Sequence, residues 1–251
     1  MSDHHDRLLV VLPTYCERPN IERVLDRVLA ADAGIDVLVV DDDSPDGTGK
    51  IADEIAEREP RVRVLHRPAK GGLGTAYRAG FQVGLAEGYG HLAEIDADLS
   101  HDPSDLPRLW EAARGRAVAI GSRYLAGGGV RNWPWYRLLI SRAGTVYTNL
   151  WLHLGLTDAT AGFRVFPARI LERIPLDTVK TNGYAFQVEM VYRVQRLGER
   201  IVEVPIVFTE REEGFSKMSG RIVVEALLWV TRWGLRDIVA RLRRGRARVH
   251  S

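Results

Sequence analysis

One cysteine, Cys16, in 251 residues excludes a disulfide framework and a cysteine-based zinc site, and it fits a reducing, cytosolic compartment. Long apolar runs are also missing. No segment approaches the ~20 residues of a membrane span; the longest charge-free stretch, Ala143 to Thr157, is interrupted by Thr145, Thr148, Asn149 and His153. Met1 to Asp6 is polar and Leu8–Leu12 is too short for a signal-peptide core, so no secretory leader is expected. Internal repeats, low-complexity segments and linkers are absent, which leaves one large α/β unit or one with an appended helical piece. Net charge nearly cancels, 35 basic residues against 33 acidic, but it is unevenly spread. From Arg232 to Ser251 the chain has Arg232, Arg236, Arg241, Arg243, Arg244, Arg246 and Arg248 against Asp237 alone. Such a tail solvates a terminal helix, or meets an anionic membrane or nucleic acid.

What the sequence does have is apolar strands that alternate with amphipathic helices. Leu8–Leu12 reads as a buried strand stopped by Pro13, followed by a helix with Ile21, Val24, Leu25, Val28 and Leu29 on one face and Asn20 as its cap. Ile35–Val40 ends in Asp41-Asp42-Asp43, and a turn, Ser44 to Thr48, leads into a helix to about Glu59. Val62–Leu65 precedes Gly72-Leu73-Gly74 and a helix through Leu85. A further strand runs to Asp96, a helix covers Ser104–Arg114, and Ala117–Gly121 forms the next strand. Five such alternations predict a parallel, doubly wound sheet with ligands at the carboxyl ends of its strands. The second half is less regular: an aromatic stretch from Arg131 to Leu156, a strand over Ala161–Phe166, a helix over Tyr184–Leu197, a strand over Ile201–Phe208 and a long helix from Arg221 to about Arg243.

The polar residues gather at those strand ends. Ile95-Asp96-Ala97-Asp98 delivers two carboxylates just past a strand, where a turn lets both face one hard cation, with diphosphate oxygens completing its shell. By itself the pair reads rather as solvated turn acids or a helix N-cap before Pro103; three further acidic or basic clusters at comparable strand ends tip the balance toward a cation site. Asp42 beside the Pro13–Glu17 loop can accept hydrogen bonds from a base edge or ribose, whereas Asp43 and Asp46 read as solvated loop acids. Gly72-Leu73-Gly74 lacks the third glycine of a dinucleotide fingerprint and reads as a tight turn for close approach. Arg123 follows a strand, and Arg137 and Ser141 stand one helical turn apart, so two cations and a hydroxyl could face one phosphate; spacing alone equally allows a surface pair. Arg211 and Lys217 lie on a loop, Thr209–Gly220, with Gly214 and Gly220 as hinges.

Taken together, the ordered motifs resemble family 2 glycosyltransferases of the dolichol- or polyprenol-phosphate mannose synthase type. The matching stretches are Pro13-Thr14-Tyr15-x-Glu17-Arg18, Asp41-Asp42-x-Ser44-Pro45-Asp46-Gly47-Thr48, Gly72-Leu73-Gly74-Thr75-Ala76 and Asp96-Ala97-Asp98-Leu99-Ser100-His101. Gly121 to Tyr124, Asn132-Trp133-Pro134-x-Tyr136-Arg137, Ile140-Ser141, Gly162-Phe163-Arg164, Gly183-Tyr184, Glu203 to Ile206 and Ser216-Lys217 continue the set over about residues 8–220.

The resemblance implies a GT-A fold: a Rossmann-like, mostly parallel sheet flanked by helices, with an acceptor-side aromatic segment and a C-terminal helix. It divides the single domain into a nucleotide-sugar half (1–125), an acceptor half (126–220) and a helix with basic tail (221–251). It implies Mg²⁺- or Mn²⁺-dependent, inverting transfer of mannose from GDP-mannose to a polyprenyl or dolichyl phosphate. By position, Pro13, Tyr15, Glu17, Val40 and Asp42 would hold the guanosine. Asp96, Ala97 and Asp98 would hold metal and diphosphate, Arg211 and Lys217 would close over them, and Arg123, Arg137 and Ser141 would receive the lipid phosphate. Cys16 stands where relatives usually have Asn, and Ser100 where some relatives have a Gln that can ligate the metal.

The same resemblance implies a peripheral protein on the cytoplasmic membrane face, with an integral membrane partner where fused spans are lacking, and no nucleic acid. Trp133, Trp135, Tyr136, Tyr147 and Trp151, with Leu138, Leu139, Leu150 and Leu154, suit a membrane interface or a helix-packing core. Two rival readings fit less well. A receiver-type switch leaves the second half idle, and a nucleic-acid module lacks aromatics interleaved with the arginine tail. Within the enzyme class, transfer of glucose or another sugar to the same lipid phosphate is the nearest alternative.

Overall fold

The computed structural model describes residues 4–210 and 220–249. Arg211, Lys217 and the rest of the expected closing loop up to residue 219 lie outside the described residues, as do the side chains of Arg244, Arg246 and Arg248.

The chain alternates strand and helix through its first half: β1 (Leu8–Thr14), α1 (Ile21–Ala31), β2 (Ile35–Asp41), α2 (Thr48–Ala56), β3 (Val62–His66), α3 (Leu73–Ala86), β4 (His91–Glu94), α4 (Leu106–Arg114) and β5 (Ala117–Ser122). The second half adds β6 (Gly129–Arg131), α5 (Trp135–Leu152), β7 (Arg164–Pro167), α6 (Ala168–Leu171), α7 (Gly183–Arg196), β8 (Arg200–Pro205), β9 (Val207–Thr209) and α8 (Gly220–Val249). Seven strands form one sheet in the order β3-β2-β1-β4-β7-β5-β8, and β6 pairs with β9 in a small second ribbon.

The sheet is mostly parallel, as the resemblance implies, and one strand departs from the parallel reading of the strand–helix alternation. β7 runs antiparallel between β4 and β5, with Glu94 opposite Arg164 and Ile120 also opposite Arg164. Strand ends also shift. β1 continues through Pro13 to Thr14, although a proline was expected to stop it. Thr14 O accepts from Asp42 N, so Pro13 turns its nitrogen toward the other side, where β4 has already ended opposite Val11 and no donor is required. The strand expected to run to Asp96 ends at Glu94, and the expected single strand over Ile201–Phe208 breaks at buried Ile206 as the chain passes from the main sheet to the ribbon. Asn20 makes no side-chain cap; its amide donates to Glu17 Oε2 at 3.1 Å.

Burial follows the strand alternation. Leu8, Val10 and Leu12 pack with α1, α2 and α4 on one face, whereas Leu9 and Val11 pack with α3 and α7 on the other. Helix α3 sits unusually close to the sheet because Gly80 and Gly84 face it. A Cβ on Gly84 would fall 2.5 Å from Leu92 Cδ2 and 2.7 Å from Leu9 Cδ2, and one on Gly80 would run into Val11 Cγ1. This approach brings Tyr77 and the N-terminus of α3 to the strand ends.

In an unobstructed helix Gly→Ala stabilises by about 1 kcal/mol. At Gly80 the methyl meets a fully buried side chain, so overpacking reverses the sign. Gly80→Ala is expected to lower the free energy of unfolding by about 1–3 kcal/mol in a urea titration with unchanged slope.

Candidate active site

The strand ends β1, β2 and β4 open into one cavity of about 430 Å³. Pro13, Tyr15, Glu17 and Asp42 line one wall, Asp96, Ala97 and Asp98 the floor, and Arg123 and Arg137 the opposite wall. Val40 does not line it: its side chain is fully buried in the core beneath. Ser141 lies beside it, in a smaller apolar cleft of about 60 Å³ that shares Arg137, Trp133, Thr160 and Tyr184 with the main cavity.

The wall built from the ends of β1 and β2 is stitched together by backbone donors. Successive N–H groups of Cys16, Glu17 and Arg18 donate to Ser44 Oγ (3.2 Å), Thr48 Oγ1 (3.0 Å) and Asp46 Oδ2 (3.2 Å). Asp46 is thus a loop organiser, accepting also from Thr48 N and Oγ1, and not the merely solvated acid that its turn context suggested. Cys16 takes a left-handed φ of 58° and leaves its side chain exposed, so the bond that holds its loop is made by its backbone. Lys70 Nζ stands 3.6 Å from the centre of the Tyr15 ring, closing the mouth of this side with a cation–π contact.

The acidic run after β2 has two internal tasks. Asp41 accepts from Thr14 Oγ1 and from the backbone and hydroxyl of Ser44. Asp42 accepts from Arg67 and, at 3.0 Å each, from Gly71 N and Gly72 N. Both carboxylates were legible as a pair of acids; their partners were not. Asp42 borders the cavity while fixing the 70–72 loop, whose Gly72 has φ 93°.

On the floor, β4 stops at Glu94 and the chain turns, with Leu99 at φ 59° and Asp98 Oδ1 accepting from Ser100 N at 3.0 Å. Both aspartates therefore reach the same cavity, as their position past a strand end predicts. Tyr77 OH donates to Asp96 Oδ1 at 3.3 Å, and burial followed by the charge of Asp96 raises the phenol well above its usual range, so it stays a donor. Glu94 is fully buried and pushed up to about 7, by burial foremost and against the opposing charge of Arg164. Burial pushes His101 down to about 4, against the charge of Asp98, which leaves a neutral imidazole between Phe163 and Phe208.

The donor set suits a hard divalent cation. Two carboxylates share the floor, the buried Ser100 hydroxyl beside them has no hydrogen-bond partner among the described residues, and no group of three His, Cys, Asp or Glu competes there among those residues. A cation held this way keeps open positions for diphosphate oxygens. The residues present fit Mg²⁺ or Mn²⁺.

On the far wall both arginines are paired with carboxylates. Arg123 is 7% exposed and donates through Nε and Nη2, at 2.6 Å each, to Asp158, which is fully buried. Trp133, Phe208 and Tyr124 surround its guanidinium at 5.2, 5.6 and 5.4 Å from the ring centres. Glu203 in turn accepts from Thr157 N and Asp158 N, so a chain of acceptors runs back to β8. Arg137 pairs with Glu210 and lies 4.3 Å over Trp133. Sequence reading missed Asp158, Tyr77, Gln187 and Arg67, because isolated polar residues in apolar surroundings carry no periodic signal.

Residues 9–175 match the family described as Glycosyl transferase family 2. The chain is 55% identical over 229 residues to an undecaprenyl-phosphate mannosyltransferase of Micrococcus luteus, covering 91% of this chain and 94% of that protein. It is 50% identical to a polyprenol monophosphomannose synthase of Mycolicibacterium smegmatis, covering 94% and 90%. Among solved structures, glucosyl-3-phosphoglycerate synthase from Mycobacterium tuberculosis in complex with phosphoglyceric acid superposes with a TM-score of 0.66 at 20% identity, covering 90% of this chain and 79% of that one. A mannosyltransferase from Pyrobaculum calidifontis in complex with GDP-Man and Mn²⁺ gives 0.55 at 20% identity, covering 96% and 75%. The fold is GT-A, and the chain is a glycosyltransferase that belongs to glycosyl transferase family 2.

Proposed function

We propose that the protein transfers mannose from GDP-mannose to a polyprenyl phosphate, with inversion at the anomeric carbon. The relatives at 55% and 50% identity carry names for this acceptor class and sugar, which supports both. The observation that carries the reading is the single cavity with a carboxylate pair on its floor and an arginine wall opposite. In this reading an oxygen of the lipid phosphate attacks the anomeric carbon as the bond to GDP breaks, and GDP leaves with the bonding electrons. The acceptor is already anionic at neutral pH, so no general base is required. Asp96 and Asp98 would hold the divalent cation, whose charge offsets that of the departing diphosphate.

Pro13, Tyr15, Glu17 and Asp42 would seat the guanosine, Val40 contributing only through its backbone. Arg137 and Ser141 would meet the lipid phosphate. Arg123, neutralised by Asp158, would act by aiming N–H donors and holding Trp133 in place. Arg211 and Lys217 keep their proposed closing role outside the described residues. Transfer of glucose or another sugar is the alternative, and donor competition decides it.

The lipid acceptor calls for docking at a bilayer, and one face suits it. Helices α5 and α8 leave Trp135 (76% exposed), Leu139, Val146, Leu150 (72%), Leu228 and Leu242 in solvent. Tyr147 and Trp151 of the same aromatic stretch pack inward instead. No helix among the described residues is long and apolar enough to cross a membrane. The reading is therefore peripheral attachment at the cytoplasmic face, through this surface or with an integral membrane partner.

Asp98→Ala is expected to abolish transfer and Asp96→Ala to come close, with chelator reversibly inactivating the wild type on return of Mg²⁺ or Mn²⁺; full activity of either variant, or in excess chelator, removes the metal role. Arg123→Ala would strand a buried carboxylate at a cost of about 3–5 kcal/mol, so Arg137→Gln is the cleaner probe of the acceptor side. It is expected to raise the apparent KM for polyprenyl phosphate about tenfold or more while calorimetric GDP-mannose affinity stays unchanged. Leu139→Asp with Leu150→Asp is expected to abolish sedimentation with anionic liposomes and leave GDP-mannose binding intact; unchanged sedimentation assigns docking elsewhere.

A further inference from the structure

At the floor of the cavity, which Gln187 and Gly162 both help to line, lies a group of polar side chains that the proposed reaction does not use. Gln187, on α7, is 3% exposed, and neither its amide oxygen nor its nitrogen reaches a hydrogen-bond partner among the described residues. Both carboxylate oxygens of Glu94 likewise lack a close partner, and the Gln187 amide is the hydrogen-bonding group that approaches them, opposing the burial that raises Glu94. A buried amide whose one approach is to a carboxylate beyond close hydrogen-bond geometry is poorly matched for the fold alone. The arrangement therefore points to a state in which the amide is used.

Its position says by what. A Cβ built on Gly162 would lie 3.6 Å from Gln187 Nε2 and 3.8 Å from Asp96 Oδ2. Gly162 thus lies beside both an amide nitrogen and one oxygen of a floor carboxylate, with no side chain of its own to keep them apart. Asp96 Oδ1 already receives the Tyr77 hydroxyl from the other side. An amide nitrogen carries two hydrogens, and this one has the carboxylates of Glu94 and Asp96 in its neighbourhood. Its height is fixed as well: Arg164 Nη1 donates to Gln187 O at 2.6 Å, which ties α7 to the strand that pairs with β4.

We propose that Gln187 is a positioning residue for Asp96: its Nε2–H, backed by Glu94 and given clearance by Gly162, holds Asp96 Oδ2 in the orientation that binds a divalent cation. This rests on the reading that Asp96 and Asp98 form the cation site. Carboxylates that ligate metals are themselves hydrogen-bonded, and loss of such a partner weakens metal affinity about 10–100-fold. Gln187→Met removes the donor at similar length. Gly162→Ala keeps the donor and places a methyl beside both groups at ordinary contact distance, so the fold accommodates it while the approach is blocked.

The test is Mn²⁺ affinity of the full chain in the presence of GDP, read by electron paramagnetic resonance, beside the thermal midpoint of the metal-free protein. Wild type is expected to bind Mn²⁺, and both variants to bind it about 10–100-fold more weakly with metal-free midpoints unchanged or raised. Affinities within twofold of wild type in either folded variant overturn the role of Gln187. Failure of wild type itself to bind Mn²⁺ overturns the cation site and this inference with it. If Gln187→Met does not fold, Gly162→Ala alone decides.

Discussion

The guanidinium of Arg164 is fully buried at the centre of the sheet, and much of the site depends on where it points. It donates to the carbonyls of Gln187 and Ala159, linking β7 to α7 and to the segment that carries Asp158. Its cross-strand neighbour is Glu94, the last residue of β4. Two ionisable groups without a direct ion pair in a sheet interior are unfavourable as pure stabilisation, and burial duly lowers the arginine and raises the glutamate. The antiparallel insertion of β7 lets them face each other, and it also sets the level at which β4 ends. Asp96 and Asp98 emerge at that level.

A second consequence is the division of labour across the cavity. On the side of β1 and β2, backbone donors from three consecutive residues fix a loop to the neighbouring turn, so the wall is held without large side chains. On the far side the positions are held by charge: Arg123 against Asp158, Arg137 against Glu210, each stacked on aromatic rings. Such pairs keep a cation oriented in a low-dielectric setting while limiting its net charge. The apolar faces of α5 and α8 continue outward from this second wall. The small cleft lined by Arg137 and Ser141 on α5 and by Val223, Leu227 and Val230 on α8 links the two, polar at one end and apolar along its length.

The sequence by itself determined the α/β alternation, the helices on both faces and the placement of acids at strand ends. These follow from local periodicity and from carboxylates clustered where apolar runs stop, which are properties of consecutive residues. Asp42, Asp96 and Asp98 were legible as acids at strand ends, and Tyr15, Glu17, Arg123 and Arg137 became candidates through the ordered motifs that resemble the family; the fold brings all seven to one cavity. Only the tertiary structure decided the partners. That β7 turns antiparallel between β4 and β5, that Asp158 neutralises Arg123 from 35 residues away, and that Asp42 serves Gly71 and Gly72 across 29 and 30 residues depend on contacts between segments distant in the chain. The separation of Trp135 in solvent from Trp151 against the core is of the same kind. An aromatic residue on a helix specifies burial only once another helix, here α8, covers one side of it and leaves the other open.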